Sequence, residues 1–235
     1  MLLASLRQQV LEANLELVRR GLVLYTFGNA SAISRSDSLV VIKPSGVPYE
    51  TMESSHLVVT NLEGAVVEGQ LRPSSDLPTH LVLYKAFPLI GAVVHTHSEY
   101  ATAWAQARRP IPCFGTTHAD YFHGPVPVTA KLTKKKIDLN YEENTGHEIA
   151  RTFKALDYSA VPAVLVANHG AFTWGSDAPE AVHNAVILEA VARMAYFTVQ
   201  IEEGAESLDR ALHDKHYLRK HGSKAYYGQR RVKDE

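Results

Sequence analysis

The stretch Val93-Val94-His95-Thr96-His97 constrains the fold most, because an apolar run ends there in two histidines spaced two residues apart. Side chains two apart on a strand share a face, so His95 and His97 point the same way with Cα atoms about 6.6 Å apart. Ser98 follows as a candidate N-cap for a helix over Glu99–Ala107. The pattern predicts a buried strand that gives way to a helix, with two imidazoles at the rim of an α/β site.

A second apolar run, over residues 162–167, is followed closely by His169. If the two strands are neighbours, the three imidazoles meet and form a zinc-type site with one position open for substrate. Asp76 is a candidate fourth ligand, although plain N-capping of the helix that follows it is an equally good interpretation. Single histidines are more often packed or surface residues than ligands, and we assign that role to His56, His123, His147, His183, His213 and His221.

Three loops form a second group of polar residues. They offer backbone amides, hydroxyls and one ammonium, which are the donors that a phosphate binds, and one of them precedes a helix N-terminus. Each loop alone is ordinary turn chemistry, and none matches a nucleotide-binding fingerprint. Together they predict a phosphate subsite, and the residues are Gly28, Asn29, Lys43, Ser45, Gly46, Ser74 and Ser75.

The composition excludes several classes of protein. A formal net charge of −1 provides no positive footprint for nucleic acid. The single cysteine, Cys113, excludes an intramolecular disulfide framework and suits a reducing compartment. No apolar run approaches the roughly 20 residues that span a bilayer, and the N-terminus lacks a signal-peptide core. We therefore expect a cytoplasmic protein that binds neither nucleic acid nor membrane.

Periodicity predicts one α/β domain over residues 1–235, with a mainly central sheet that is mixed or antiparallel because short turns join several strands. The segment 115–122 is dense in polar groups and is predicted to be irregular. Predicted helices cover 3–17, 77–87, 99–107, 142–156 and a long segment from 177, and predicted strands cover 31–34, 39–42, 57–61, 65–68, 93–97 and 162–167.

From residue 6 to residue 229 the sequence resembles the class II aldolase and adducin-head family and, within it, the L-ribulose-5-phosphate 4-epimerases. The His-x-His motif belongs to the wider family. The loop Thr116-Thr117-His118-Ala119-Asp120 and the tail Tyr226-Tyr227-Gly228-Gln229 are similar to the epimerases rather than the aldolases. The other matching segments are 28–29, 42–46, 73–76, 115–122, 168–170 and 215–222.

The resemblance implies a three-layer α/β/α fold and a homotetramer with one zinc ion per subunit at subunit interfaces. Residues 230–235 extend past the usual terminus and are expected to form a flexible tail. The implied zinc ligands are His95, His97 and His169 with Asp76 less certain, the substrate contacts are Gly28, Asn29, Lys43, Ser45, Gly46, Ser74, Ser75 and His216, and the acid/base pair is Asp120 and Tyr227 from a neighbouring subunit.

The reaction that the resemblance implies interconverts L-ribulose 5-phosphate and D-xylulose 5-phosphate, so that the partner is a phosphorylated pentulose. Whether this pentulose phosphate comes from the use of arabinose or of ascorbate stays open. Three alternatives remain: a class II sugar-phosphate aldolase, a non-catalytic module like the adducin head, and a structural zinc site. The last does not explain the phosphate-type loops, and closed structural sites usually use cysteine.

Overall fold

The computed structural model describes residues 1–227 of the 235-residue chain, so the predicted tail 230–235 lies outside the described residues. The helices are α1 (Ala4–Arg19), α2 (Leu77–Ala86), α3 (Glu99–Ala107), α4 (Thr116–Ala119), α5 (Lys134–Thr152), α6 (Ala178–Ile201) and α7 (Arg210–His221). The strands are β1 (Asn29–Ser34), β2 (Leu39–Ile42), β3 (Val58–Asn61), β4 (Val66–Glu68), β5 (Ala92–Thr96), β6 (Ala163–Leu165) and β7 (Ala171–Gly175).

The strands form one sheet in the order β4-β3-β2-β1-β5-β7-β6, and every neighbouring pair is antiparallel. Of the two sheet types left open by the sequence, the antiparallel one is correct. The short connections predicted it, because a turn of a few residues joins only antiparallel strands. β1 and β5 lie at the centre of the sheet, and that position determines where the functional site forms.

Two apolar cores cover opposite faces of the sheet. Val93 of β5 packs into a core with Leu83 and Tyr84 of α2, while the adjacent Ala92 and Val94 pack into the other core beneath α1 and the start of α6. The alternation follows from the two-residue period of a strand. Helices thus cover both faces, which confirms the predicted α/β/α fold.

Several predicted element boundaries agree with the structure. The helix Glu99–Ala107 and the strand Leu39–Ile42 have the predicted limits. Ser98 precedes α3 but makes no side-chain cap, because the carboxylate of Glu189 accepts hydrogen bonds from the amides of Tyr100 and Ala101 instead. A residue distant in sequence has taken the capping role.

Two predictions of local structure are wrong. The segment 115–122 is not irregular, since α4 occupies its centre and the fully buried Phe122 anchors its end. The helix predicted over 142–156 begins eight residues earlier at Lys134, is interrupted by the non-helical backbone of Asn140 and ends at Thr152. Its first turns are polar and therefore carry no apolar periodicity to detect.

The predicted pairing of the two histidine strands is also wrong. β5 pairs with β1 and β7, and β6 pairs only with β7. His169 reaches the His95 strand because it lies in the tight turn that joins β6 to β7. Within residues 1–227, no helix is long and apolar enough to cross a membrane.

Candidate active site

The site lies at one end of three adjacent strands, β1, β5 and β7. Asn29 at the start of β1 is paired with His95 near the end of β5, and His95 is paired with Phe172 near the start of β7. A cavity of about 390 Å³ opens there. We call it the histidine cavity, and its lining is Thr26, Phe27, Gly28, Asn29, Lys43, Pro44, Ser45, Gly46, Ser74, Ser75, Asp76, His95, His97, Tyr141, Glu142 and His169. Every predicted metal ligand and every predicted phosphate-loop residue is in this lining.

The three histidines converge. Their ring centroids are 4.8 Å apart for His95 and His97, 4.8 Å for His95 and His169, and 4.9 Å for His97 and His169. One nitrogen from each ring lies within 4.8 Å of the other two, and Nε2 of His95 is 3.0 Å from Nε2 of His97. Nitrogens this close repel if both are unprotonated, unless a cation or proton lies between them. The arrangement is that of a metal-ligand set.

Hydrogen bonds on the far side of two rings select the nitrogen that faces the centre. Nδ1 of His95 lies 2.9 Å from the carbonyl oxygen of Ala171, which can only accept, so this nitrogen carries the hydrogen. Nδ1 of His169 lies 3.1 Å from the hydroxyl of Tyr141. Ligating histidines usually donate their other N–H to such an oxygen, which leaves the inner lone pair free. Phe172 stacks on His95 at 4.3 Å and holds its ring plane.

The turn that carries His169 requires a glycine. Val166 and Gly170 close it through a 2.8 Å backbone hydrogen bond, and Asn168 within it has a positive φ of 65°. A Cβ on Gly170 would lie 2.6 Å from the carbonyl oxygen of Thr96. Only glycine lets the turn approach β5 closely enough to bring His169 to His95.

Burial keeps two of the site histidines, His97 and His169, neutral. It lowers the pKa of His169 to about 4 and the pKa of His97 below its ordinary value, and the neighbouring imidazoles add to both effects. Behind them, burial lowers the pKa of His80 to about 3, and Nδ1 of His80 is 2.7 Å from the hydroxyl of Ser31. Neutral imidazoles have the lone pairs that a divalent metal needs.

Asp76 faces the cavity rather than its helix. It is at the N-cap position of α2 but makes no side-chain cap, so the capping interpretation is wrong. Its carboxylate accepts a 2.7 Å hydrogen bond from Nδ2 of Asn29. Among the described residues, Oδ1 of Asn29 is buried without a partner, which leaves an acceptor available to a bound molecule. The group with mutually close ligand atoms contains the three histidines and not Asp76.

The phosphate-type loops lie side by side at another part of the cavity. The Ser74 amide donates to the carbonyl of Lys43, and the Ser45 amide donates to the carbonyl of Arg72, both at 2.9 Å. The Lys43 ammonium lies 4.8 Å from the ring centre of Tyr49, and burial lowers its pKa to about 8. An ammonium with few neutralising partners is a strong site for an anion.

Three predicted residues lie elsewhere. The Asp120 carboxylate receives two hydrogen bonds from Arg219, at 3.1 and 2.7 Å, and lies 3.0 Å from Nδ1 of His216. The ammonium of Lys220 is 3.6 Å from the same carboxylate and 4.4 Å from the ring centre of Tyr227. These five residues form the Asp120 cluster, where α4 packs on α7, and none of them lines the histidine cavity.

The charges of the Asp120 cluster keep its carboxylate ionised. Burial raises the pKa of Asp120, but hydrogen bonds from Arg219 and His216 and the charge of Lys220 outweigh that effect and hold it below the ordinary value. The ring of Tyr227 lies over the Arg219 guanidinium at 4.9 Å and is 59% exposed. The exposed phenol of Tyr227 and the largely buried carboxylate of Asp120 thus share contacts with Arg219 and Lys220.

Residues 8–196 match the family model for the class II aldolase and adducin N-terminal domain. The chain belongs to the class II aldolase and adducin family. It is 53% identical to the L-ribulose-5-phosphate 4-epimerase UlaF of Salmonella paratyphi A, over 96% of this chain and 99% of that one. Among solved structures, an L-fuculose 1-phosphate aldolase superposes with a TM-score of 0.76 at 26% identity, covering 90% of this chain and 94% of that one. YgbL of Klebsiella pneumoniae superposes with a TM-score of 0.72 at 27% identity, covering 90% and 97%.

Five lining residues of this class II aldolase-family chain were not predicted: Thr26, Phe27 and Pro44, which adjoin the predicted loops, and Tyr141 and Glu142, which lie far from those loops in sequence. Tyr141 and Glu142 follow the helix interruption at Asn140 and line the cavity beside His169. Burial raises the pKa of Tyr141, and the carboxylates of Asp76 and Glu142 add to the effect, so the phenol stays neutral. Asn140 before a short helical segment was a turn signal, but nothing in the sequence links it to His169.

Proposed function

We propose that this chain is a zinc-dependent epimerase that interconverts L-ribulose 5-phosphate and D-xylulose 5-phosphate. The observation that carries the proposal is the histidine cavity, where three converging imidazoles and the phosphate-type loops line one space. The similarity to curated L-ribulose-5-phosphate 4-epimerases supports the substrate assignment. A sugar phosphate needs both parts of the cavity, because the loops bind its phosphate and the histidine end takes its reacting carbons.

The donor set fits zinc. Zinc takes three protein nitrogens and leaves a position for substrate in catalytic sites, and the three histidines provide these nitrogens, with Asp76 as a fourth candidate. When bound, the metal supplies a Lewis acid that withdraws charge from the substrate carbonyl. Neutral ligands preserve its positive charge for that purpose.

The loops orient the substrate. Lys43 supplies the charge that attracts the phosphate, while the hydroxyls of Ser45, Ser74 and Ser75 and the amide of Gly46 supply hydrogen-bond donors around it. The Oδ1 atom of Asn29, buried and unpaired among the described residues, accepts a hydrogen bond from a substrate hydroxyl. The phosphate held at the loops places the carbonyl end toward the histidines.

Carbon 4 bears no acidic hydrogen, so its inversion requires cleavage of the C3–C4 bond. The electron pair of that bond moves to C3 of the dihydroxyacetone fragment (C1–C3), and the C4 hydroxyl loses its proton as glycolaldehyde phosphate (C4–C5) forms. Glycolaldehyde phosphate turns, C3 attacks the other face of its carbonyl, and the new C4 oxygen takes a proton. One group accepts the first proton and another donates the second, and Asp120 and Tyr227 are of suitable types for these roles.

Asp120 and Tyr227 reach the cavity from a second copy of the chain, in a tetramer. The support is that neither residue lines the cavity of its own chain, that Tyr227 is 59% exposed, and that both residues contact Arg219 and Lys220. Mixing two inactive variants, His97→Ala and Tyr227→Phe, tests this. If the subunits share sites, random reassembly regenerates intact sites at about a quarter of the interfaces. A mixture that stays inactive would show that each chain uses its own Tyr227 or none.

The deciding assay is conversion of L-ribulose 5-phosphate to D-xylulose 5-phosphate by purified protein as isolated, after chelation, and after zinc is restored. We expect turnover to disappear with chelation and to return with zinc. Folded, zinc-loaded protein without turnover would reject the epimerase proposal.

The second candidate is a sugar-phosphate aldolase, favoured by the superposition on L-fuculose 1-phosphate aldolase. An aldolase performs the same cleavage and releases the aldehyde, whereas an epimerase retains it. A coupled assay for the free aldehyde, which is glycolaldehyde phosphate from L-ribulose 5-phosphate and lactaldehyde from L-fuculose 1-phosphate, separates the two. Stoichiometric aldehyde release would favour the aldolase, and inversion without free aldehyde would favour the epimerase.

A further inference from the structure

A second group of metal-ligating side chains lies apart from the histidine cavity. His123 follows α4, while His213 and Asp214 lie in the first turns of α7. One ligand atom from each lies within 4.8 Å of the other two. We call these residues the second histidine cluster. The sequence interpretation assigned both histidines a structural role, because 90 residues separate them and neither ends an apolar strand.

The hydrogen bonds of His213 determine which nitrogen is free. Its Nε2 lies 3.2 Å from the carbonyl oxygen of Phe122, and a carbonyl only accepts, so Nε2 carries a hydrogen. Nδ1 then faces Oδ1 of Asp214 at 3.4 Å. If Nδ1 has no hydrogen, its lone pair points at a carboxylate oxygen, and the two repel. A cation between them converts this repulsion into attraction.

His123 completes the set. Its Nε2 lies 2.9 Å from the same Oδ1 atom of Asp214. The ring of His123 is stacked between His213, at 4.9 Å, and Tyr217, at 4.5 Å, and these contacts hold its plane. Arg210 pairs with the other oxygen of Asp214, at 3.5 Å, and leaves Oδ1 for the cluster.

We propose that His123, His213 and Asp214 bind a second divalent transition-metal ion that fastens α7 to the segment after α4. Ligands bound tetrahedrally to one ion at about 2.0–2.1 Å are about 3.3 Å apart. The distances from Asp214 to His123 and His213, 2.9 and 3.4 Å, are close to that value, and the two imidazole nitrogens lie within 4.8 Å of each other. Two imidazoles and a carboxylate suit zinc, nickel or cobalt rather than magnesium or calcium. The donation from His213 to a backbone carbonyl is the usual support of a ligating histidine.

The second ion would stabilise the surface that carries the Asp120 cluster. The two segments that it joins are those that hold Asp120 on one side and His216 and Arg219 on the other. Its role is structural, since neither His123 nor Asp214 lines the histidine cavity. The proposal does not depend on the proposed reaction.

The test is zinc stoichiometry on metal-stripped full-length protein, measured by equilibrium dialysis with inorganic zinc. We expect about two equivalents for the wild type and about one for His123→Phe, which keeps an aromatic ring in the stack but removes the ligand. The double variant His97→Ala/His169→Ala should also retain about one, and adding His123→Phe to it should remove that one. His147→Phe is the matched control, because this histidine is near only one carboxylate, Glu143, and should leave both equivalents.

A second readout covers the case in which His123→Phe is unstable. Zinc should raise the melting temperature of His97→Ala/His169→Ala protein, and Asp214→Asn, which keeps the side-chain shape, should abolish that rise. One equivalent in the wild type, or no effect of His123→Phe and Asp214→Asn on binding, would overturn the proposal. Such a result would leave the epimerase assay untouched, because that assay depends on the histidine cavity.

Discussion

The histidine cavity and the Asp120 cluster carry the two halves of the proposed chemistry, and they are built differently. The cavity lies at the end of three adjacent paired strands, and His95 within it is 1% exposed. The Asp120 cluster lies between a four-residue helix and α7, and within it Asp120 is 9% exposed and Tyr227 is 59% exposed. The proposed metal ligands are thus positioned by the sheet, while the proposed acid/base pair is positioned by two helices.

A single chain therefore contains both the histidine cavity and the Asp120 cluster, but its own fold does not bring the two together. Pairing of β5 with a strand on each side fixes the backbone position of His95. A metal ligand needs such a fixed position, because its nitrogen must point at the ion. Acid and base groups tolerate less rigid support, provided that the bound substrate aligns them. A single substitution in the histidine cavity should therefore lower the activity most.

Removing a ligand should have the largest effect. We expect His97→Ala to lose the zinc ion of the histidine cavity and to lower kcat/KM by about 10⁴-fold, because the Lewis acid contributes about 5 kcal/mol to the transition state. Metal content and turnover on the same sample check this. His56→Ala, at a histidine outside the cavity lining, should keep both. If His97→Ala kept its metal and its activity, the cavity would not be the reaction site.

Tyr227→Phe should lower kcat by about 10²–10⁴-fold while zinc remains bound, since a positioned acid or base contributes that much. Steady-state kinetics together with metal analysis measure it. The adjacent Tyr226→Phe is the control, because the Tyr226 ring lies over the Lys215 ammonium at 5.2 Å rather than over the Asp120 cluster. Near-normal turnover of Tyr227→Phe would remove this residue from the mechanism.

Tyr141→Phe should weaken zinc binding by about 10–100-fold, the usual effect of losing a partner that orients a ligand. The Tyr141 hydroxyl lies within hydrogen-bond distance of Nδ1 of His169, at 3.1 Å, so its removal frees that ring to turn. Competition with a chromogenic chelator gives the zinc affinity. Tyr196→Phe, on α6 outside the cavity, should bind as the wild type does. Equal affinity in the two variants would show that the hydrogen bond does not support the ligand.

The smallest expected effect concerns pH. Burial lowers the pKa of Lys43 to about 8, so the ammonium is present below pH 8 and is lost as the pH rises through it. We expect kcat/KM to fall by up to about tenfold between pH 7 and 9, since a hydrogen bond to a charged group contributes about 1.5 kcal/mol. Lys43→Gln should already be low at pH 7 and lack this step. A step of equal size in Lys43→Gln would assign the titration to another group.

Local patterns predicted the parts of the site that depend on a single segment. The run before His95 has the period and composition of a buried strand, and the Lys43 and Ser74 loops have the residues of tight turns. The chemistry of these segments could therefore be predicted without knowledge of the fold. Residues that contact the site from distant parts of the sequence could not be predicted from local patterns. Tyr141 reaches His169 and Glu189 caps α3 only through tertiary contacts.

The sequence alone determined the alternation of side chains that buries both faces of the sheet. It also determined that two histidines share one side at the end of β5, and that a glycine lets the β6–β7 turn approach β5. Those features follow from side-chain period and backbone sterics within a few residues. Tertiary structure decided that β7, not β6, is the neighbour of β5, and that Asp120 and Tyr227 lie away from the cavity. Strand order and the packing of α7 depend on burying surface across the whole fold, and that energy is not contained in any local pattern.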